Sequence, residues 1–143
     1  MKIRDLRSPN VHVIDSRRAL ADAARLMCAE NIGALVVVDA ADPERHPIGI
    51  LTDRDVVRGQ LARSADLHCL TVADVMTRHP VSLRDDLEVS EALAVLSAYA
   101  VRRAPVVTAS GQLTGFISID DLLPPLADEL GTLTQLMGAH APR

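Results

Sequence analysis

Gly49-Ile50-Leu51-Thr52-Asp53-Arg54-Asp55 is the stretch from which the rest of the chain can be read. Ile48, Ile50 and Leu51 supply an apolar run of the kind that forms a short buried strand. Thr52 closes the run, and Asp53 is a suitable N-cap for a helix that follows. A helix N-terminus offers free N–H groups and the positive end of a dipole, which suits an anion such as phosphate. Asp55 stands three residues after Thr52, so both side chains can face one cleft. The hydroxyl suits a phosphate, and the carboxylate can accept hydrogen bonds from a ribose diol. Taken once, the same residues also spell ordinary helix capping.

The pattern occurs twice. Gly115-Phe116-Ile117-Ser118-Ile119-Asp120-Asp121 repeats the glycine, the two apolar residues, the hydroxyl and the aspartate. Upstream, an offset of 69 lays Ile3-Arg4-Asp5-Leu6 on Val72-Ala73-Asp74-Val75, Ile14 on Leu83 and Ala23 on Ala92. The same offset lays Leu26-Met27 on Val95-Leu96, Ile32 on Val101 and Val37-Val38 on Val106-Val107. At the motif the offset is 66, so the second copy is three residues shorter in one loop. Internal repetition of this extent marks two copies of one structural unit.

Two such units, each ending in glycine, two apolar residues, Thr or Ser, two variable residues and Asp, resemble a tandem pair of cystathionine β-synthase (CBS) domains, or Bateman module. Asp74-Val75-Met76-Thr77-Arg78-His79-Pro80-Val81 resembles the opening motif of that family. Asp5-Leu6-Arg7-Ser8 is a degenerate form of it. The resemblance covers residues 2–127. It divides the chain into a first CBS domain over 2–62, a linker over 63–70, a second CBS domain over 71–127, and a C-terminal helix and tail over 128–143.

Composition sets the bounds. The chain has 143 residues, of which 48% are hydrophobic and only 1% aromatic. That is enough apolar material for a core, built from Val, Leu, Ile and Ala. One Tyr, one Phe and no Trp leave no stacking platform for single-stranded nucleic acid. A net charge of −4 without a basic run argues against phosphate-backbone binding. No apolar run approaches the roughly 18 residues that span a membrane, and no leader-like segment is read. Cys28 and Cys69 lack paired spacing and are expected to be buried structural thiols in a cytosolic protein.

Along the chain, residues 2–8 read as a helical turn leading into an extended Val11–Ile14. Asp15 or Ser16 can cap a helix whose Leu20, Ala23, Ala24 and Met27 form an apolar stripe. Asn31 and Gly33 end it. Ala34–Val38 is a β-branched strand, 39–47 a surface loop, 48–52 a strand, and 53 to about 62 a helix. The second copy repeats the plan. Thr71 caps a short helix through Met76, Pro80–Leu83 is extended, and Asp85 or Asp86 caps a helix with the stripe Val89, Ala92, Leu93 and Leu96. Strands at Pro105–Thr108 and Leu113–Ser118 flank a turn at Ser110-Gly111. Each half is thus β-α-β-β-α. The expected fold is α/β, with the two halves packed through their sheets about a pseudo-twofold axis, because one copy alone cannot close a core.

The resemblance also implies two nucleotide clefts. Carried over by position, the first comprises His12, Val13, Ala34, Leu35, Thr52 and Asp55. The second comprises Val81, Ser82, Ala104, Pro105, Ser118 and Asp121. Apolar members would pack on an adenine face, or alternatively serve only as core. Arg102 and Arg103 precede the second strand where the first half has Gly33 and Ala34. An arginine fork matches phosphate oxygens. Arg54 is a further candidate, but its counterpart is Asp120, which would oppose a polyphosphate, so the clefts should differ in affinity.

The implied function is a regulatory, non-catalytic module binding an adenine nucleotide. AMP is the first choice, with ADP, ATP, NAD or S-adenosylmethionine as alternatives. The regulated enzyme, channel or transporter would be acted on in trans. Competing classes are a ligand-free dimerisation module and an enzyme. For the enzyme there is no P-loop, no Gly-x-Gly-x-x-Gly and no supported nucleophile triad. His12, His46, His68, His79 and His140 are scattered, and His68-Cys69 is the one local ligand-like pair, so a metal site is not expected. Beyond the second motif, Pro124 and Pro125 suit the first turn of a new helix. Leu126, Leu130, Leu133 and Met137, with Leu123 before them, follow an a/d-like seam. That seam fits either a helix lying on its own domain or one at a subunit interface, and the resemblance to paired CBS modules, which commonly associate as twofold dimers, implies a homodimer.

Overall fold

The computed structural model describes residues 1–139; His140 and the rest of the tail lie outside them. The chain runs α1 (Ile3–Leu6), β1 (Val13–Asp15), α2 (Leu20–Glu30), β2 (Ala34–Val38), β3 (Gly49–Thr52) and α3 (Asp53–Arg63). It then repeats as α4 (Val72–Val75), β4 (Thr77–Arg78), β5 (Leu83–Arg84), α5 (Val89–Ala98), β6 (Arg103–Val107), β7 (Leu113–Ser118) and α6 (Ile119–Ala139). In each half the first strand pairs parallel to the second, across a helix, and the second pairs antiparallel to the third. The fold is therefore α/β with two small sheets, as the repeated β-α-β-β-α pattern predicts.

One strand breaks the simple division. The first sheet has the order β1-β2-β3-β4, and β4 comes from the second copy. Gly49 and Ile50 pair antiparallel with Arg78 and Thr77. The relation is returned in the other half, where Ser8 bridges Phe116 through two backbone hydrogen bonds of 2.9 and 3.0 Å. The leading strips are thus exchanged, each half lending its first residues to the other's sheet. Their helical turns follow. Val72 and Met76 are buried in the core of the first half, with Leu20, Leu35 and Leu51. Ile3 is fully buried in the core of the second half, with Leu83, Leu96 and Ile117. Burying an Ile or Val side chain contributes roughly 1.5–3 kcal/mol, so each strip anchors the opposite half.

A third cluster joins the sheets. Val36, Val38 and Leu113 are buried together, with Val11, Val13 and Phe116 packed against them. At the rim the loop after β2 is clasped to the turn before β7. His46 Nδ1 lies 2.8 Å from Asp42 Oδ2, and its Nε2 lies 3.2 Å from the Ser110 carbonyl. The hydrogen bond to Asp42 holds the imidazole pKa above its ordinary value. The turn itself needs Gly111, at φ +90°.

Several local expectations are corrected. The N-cap of α3 is Thr52, not Asp53. Ala19 precedes α2 and Glu88 precedes α5, in place of the expected aspartates or Ser16. Asp15 is instead drawn aside by Arg17, whose side-chain hydrogen bonds hold its carboxyl well below the usual range. Asn31 ends α2 in the left-handed region at φ 53°, as expected. Pro124 and Pro125 lie inside α6, which starts at Ile119 rather than at the prolines. Each proline removes one i→i−4 hydrogen bond there. Cys28 and Cys69 are both exposed. Cys28 falls just outside the apolar stripe of α2, and Cys69 lies in the turn between the halves, so neither is a core thiol.

Candidate functional site

The exchange of leading strips decides which residues meet. A cavity of about 370 Å³ is lined by Ile50, Thr52 and Asp55 from the end of β3 and the start of α3. Its other walls are Thr77, His79, Pro80 and Val81, which follow α4, and Val101, Arg102 and Arg103, which lead into β6. A second cavity, of about 240 Å³, is lined by Ser8, Asn10, Val11, His12, Ile32, Gly33, Ala34 and Phe116, with Val36 and Arg103. Under the sequence offsets, Thr77, His79, Pro80 and Val81 fall on Ser8, Asn10, Val11 and His12. Val101, Arg102 and Arg103 fall on Ile32, Gly33 and Ala34, and Ile50 falls on Phe116. The two cavities are therefore pseudo-equivalent.

The grouping differs from the expected one. Thr52 and Asp55 share a cavity with Val81, not with His12 and Ala34, because β4 carries residues of the second copy onto β3. Leu35 and Ala104 are core residues, at 1% and 0% exposure, and line neither cavity. Val13 packs between the sheets. Pro105 is buried in β6 beside Phe116. Ser82 is half-buried, and its hydroxyl donates to the Pro80 carbonyl at 3.5 Å. Arg54 lies apart with Asp53 and Val57 on an open surface. Ser118 joins Arg102, Arg103, Ile119 and Asp120 in a third cavity of about 320 Å³. Asp121 lines none of these cavities.

Hydrogen bonds show which groups remain available. The Thr52 hydroxyl accepts from Asp55 N–H at 3.1 Å, and Asp55 Oδ2 accepts from Thr52 N–H at 3.0 Å. This reciprocal cap fixes both side chains. It leaves the hydroxyl hydrogen free to donate and Oδ1 free to accept. The free helix N–H groups expected for phosphate are taken. Asp53 N–H donates to the Gly33 carbonyl at 3.1 Å, and Arg54 N–H donates to Asp53 Oδ1 at 2.8 Å. The other half is similar but not identical. Ile119 N–H donates to the Arg102 carbonyl at 2.8 Å, and both the Ser118 N–H and hydroxyl donate to Asp121 Oδ2. With these amides occupied, the charged donors left for an anion are guanidinium groups. Arg102 and Arg103 are exposed and make no side-chain ion pair among the described residues.

The larger cavity thus has an apolar wall of Ile50, Val81 and Val101, a hydroxyl and a carboxylate side by side, and two arginines. That set suits a flat apolar ring, a diol and an anion. Thr77, His79 and Ile50 were not among the residues expected from the sequence, nor were Ser8, Asn10 and Phe116. The motif glycines carried a signal for them. A Cβ on Gly49 would meet Met76 Sδ at 2.6 Å, and one on Gly115 would meet the Ser8 carbonyl oxygen at 2.5 Å. Each glycine marks where the opposite copy's strip crosses. Among the described residues no His, Cys, Asp or Glu cluster could hold a metal ion, and no helix is long and apolar enough to cross a membrane.

Comparison with known proteins agrees with this architecture. The CBS domain profile matches residues 3–62 and again 72–128. The chain belongs to the CBS domain family, as a tandem CBS pair. It is similar to the uncharacterized protein YlbB of Bacillus subtilis, at 35% identity over 85% of this chain and 79% of that protein. It is also similar to part of the inosine-5'-monophosphate dehydrogenase of Methanocaldococcus jannaschii, at 34% identity over 73% of this chain but only 19% of the enzyme. Among solved structures, CBSX2 in complex with AMP superposes with a TM-score of 0.74 at 25% identity, covering 89% of this chain and 96% of that one.

Proposed function

We propose that this CBS pair is a regulatory, non-catalytic module that binds an adenine nucleotide and passes its state to a partner. The observation that carries the reading is the larger cavity. It sets Thr52 and Asp55 beside an apolar wall and beside two arginines without side-chain ion pairs. A base on Ile50, Val81 and Val101, a ribose diol on Asp55 and a phosphate on Arg102 or Arg103 would use every one of these groups. AMP fits this inventory best, since two guanidiniums match a single phosphate group. ADP, ATP, NAD and S-adenosylmethionine are the alternatives. CBSX2, a related pair, is known with AMP. Each cavity takes walls from both halves, so a ligand there would couple the halves, and a target enzyme or transporter would read the change in trans.

Calorimetry with AMP, ADP, ATP, NAD, S-adenosylmethionine and adenosine tests this. Saturable binding of at least one adenosyl ligand, with AMP tighter than adenosine, is expected. Absence of heat and of thermal stabilisation with every ligand at millimolar concentration would reject it in favour of a structural dimerisation module.

The same proposal includes a homodimer built on α6. This helix has 21 residues against 11 in its counterpart α3. Leu122 and Leu126 tie its start to the second core. Beyond them Leu130, Leu133 and Met137 are 65%, 53% and 69% exposed. They continue the 3-4 seam begun at Leu123 and Leu126. A seam of two heptads is self-complementary, though short for a coiled coil standing alone. We expect a dimer at micromolar concentration by light scattering. Leu130→Asp with Leu133→Asp should shift it to monomer while thermal unfolding stays cooperative. A monomeric parent protein would remove the dimer. A folded, dimeric double variant would move the interface elsewhere.

A further inference from the structure

Among the described residues Arg103 is the one that lines both pseudo-equivalent cavities, and it lines the third cavity as well. Its counterpart under the repeat is Ala34, which brings no charge. Arg102 lines the larger cavity and the third, with Gly33 as its counterpart. The smaller cavity therefore has no arginine of its own and meets this cation only across the boundary. Among the residues lining it, His12 is the other group that can carry positive charge. The first-turn amides of α3 are committed to Gly33, Asp53 and Thr52, and Ile119 N–H is committed to Arg102. Those committed amides cannot replace a missing guanidinium.

We infer that Arg103 is a shared phosphate anchor, so that the two clefts compete for one guanidinium and a phosphate in one weakens phosphate binding in the other. The inference rests on the proposed adenine-nucleotide function and adds its regulation. One guanidinium makes a bidentate pair with one phosphate at a time. The first AMP to bind takes it. When that AMP sits in the larger cleft, the smaller must bind with base and ribose alone, beside an anion rather than a cation, whereas the larger cleft always keeps Arg102. A ligand without phosphate makes no such demand, so adenosine occupies the clefts independently. Asp120, on the rim of the third cavity, adds negative charge on that side and offers the second phosphate no substitute.

Methyl NMR can follow each cleft in the full chain, with Ile50 reporting the larger and Ala34 the smaller. In the parent protein AMP should saturate the two methyls in separate steps, at least about tenfold further apart than adenosine does. Val81→Trp, which fills the larger cleft, should then tighten AMP at the smaller cleft about ten- to a hundredfold relative to the parent's second step. Adding Arg103→Ala should abolish that gain. Asp55→Ala, which weakens the larger cleft, is a second way to lower its occupancy should the tryptophan disturb folding. If blocking the larger cleft leaves AMP binding at the smaller one unchanged, or if the gain survives Arg103→Ala, the shared anchor is overturned while nucleotide binding stands. If neither AMP nor adenosine moves either methyl, the nucleotide reading fails and this inference fails with it.

Discussion

Gly115→Val is expected to lower the stability of the protein by about 3 kcal/mol, near the upper end of ordinary overpacking costs. A Cβ at this position would lie 2.5 Å from the carbonyl oxygen of Ser8 and 2.6 Å from Arg7 Cδ. The first of these is backbone, and it cannot rotate away. The strand that carries it is held by the paired hydrogen bonds between Ser8 and Phe116. Valine must therefore push the leading strip off β7 and draw Ile3 out of the second core. For a chain of this length the melting temperature should fall by roughly 10 °C. Gly49→Val should be milder. Its nearest contact is the flexible sulfur of Met76 at 2.6 Å, with the Thr77 carbonyl at 3.0 Å. Thermal unfolding by circular dichroism checks both. A Gly115→Val protein within 1 °C of the parent would mean that the strip does not cross here.

Asp55→Ala should weaken AMP at the larger cleft by about ten- to a hundredfold, the equivalent of roughly 1.5–3 kcal/mol for a charged hydrogen bond. The substitution also strips the cap of α3, at a cost of about 1 kcal/mol in stability. Asp55→Asn separates the two effects, since an amide oxygen can still accept from Thr52 N–H. Asp121→Ala should act at the smaller cleft and by less. Its carboxylate is engaged by both Ser118 donors, and it lines neither pseudo-equivalent cavity. Calorimetric titration of the two single variants and the double gives the answer. Parent-like AMP binding in all three would remove Asp55 from the larger cleft and leave Asp121 without a part in binding.

The repeated elements were legible because each side-chain pattern has a local cause. Leu20, Ala23 and Met27 face one way on a helix whatever lies beyond it, and Ala34–Val38 is β-branched throughout. The twofold copy was legible for the same reason. What could not be read was the partner of each strip. Residues 77–81 follow the second copy's short helix in sequence, and nothing in their own pattern says that Thr77 pairs with Ile50. For that reason His12 and Thr52 were expected together, whereas Thr52 shares its cavity with Val81. The caps failed differently. Asp15 and Asp53 are good capping residues, but Arg17 occupies the first, and Thr52, with Asp55 beside it, already completes the cap at the second. Cys28 shows the limit of composition alone. A thiol is usually buried, yet one position past Met27 the helix surface turns to solvent.

The exchanged strips also bear on the order in which the chain can fold. Residues 2–8 are synthesised long before Phe116, their strand partner, and the first sheet lacks its outermost strand until residue 78 has emerged. Contacts between such distant parts of a chain carry a large closure entropy and slow the search for the native state. Neither half is a cassette that matures and then docks. The first to be made must wait, with the edge of β3 open, for its neighbour's opening residues. The last strand laid down is sealed by some of the earliest residues in the chain. A pair folded in this way should unfold in one step, and it cannot trade one half for a foreign copy without also trading the strip that completes the other.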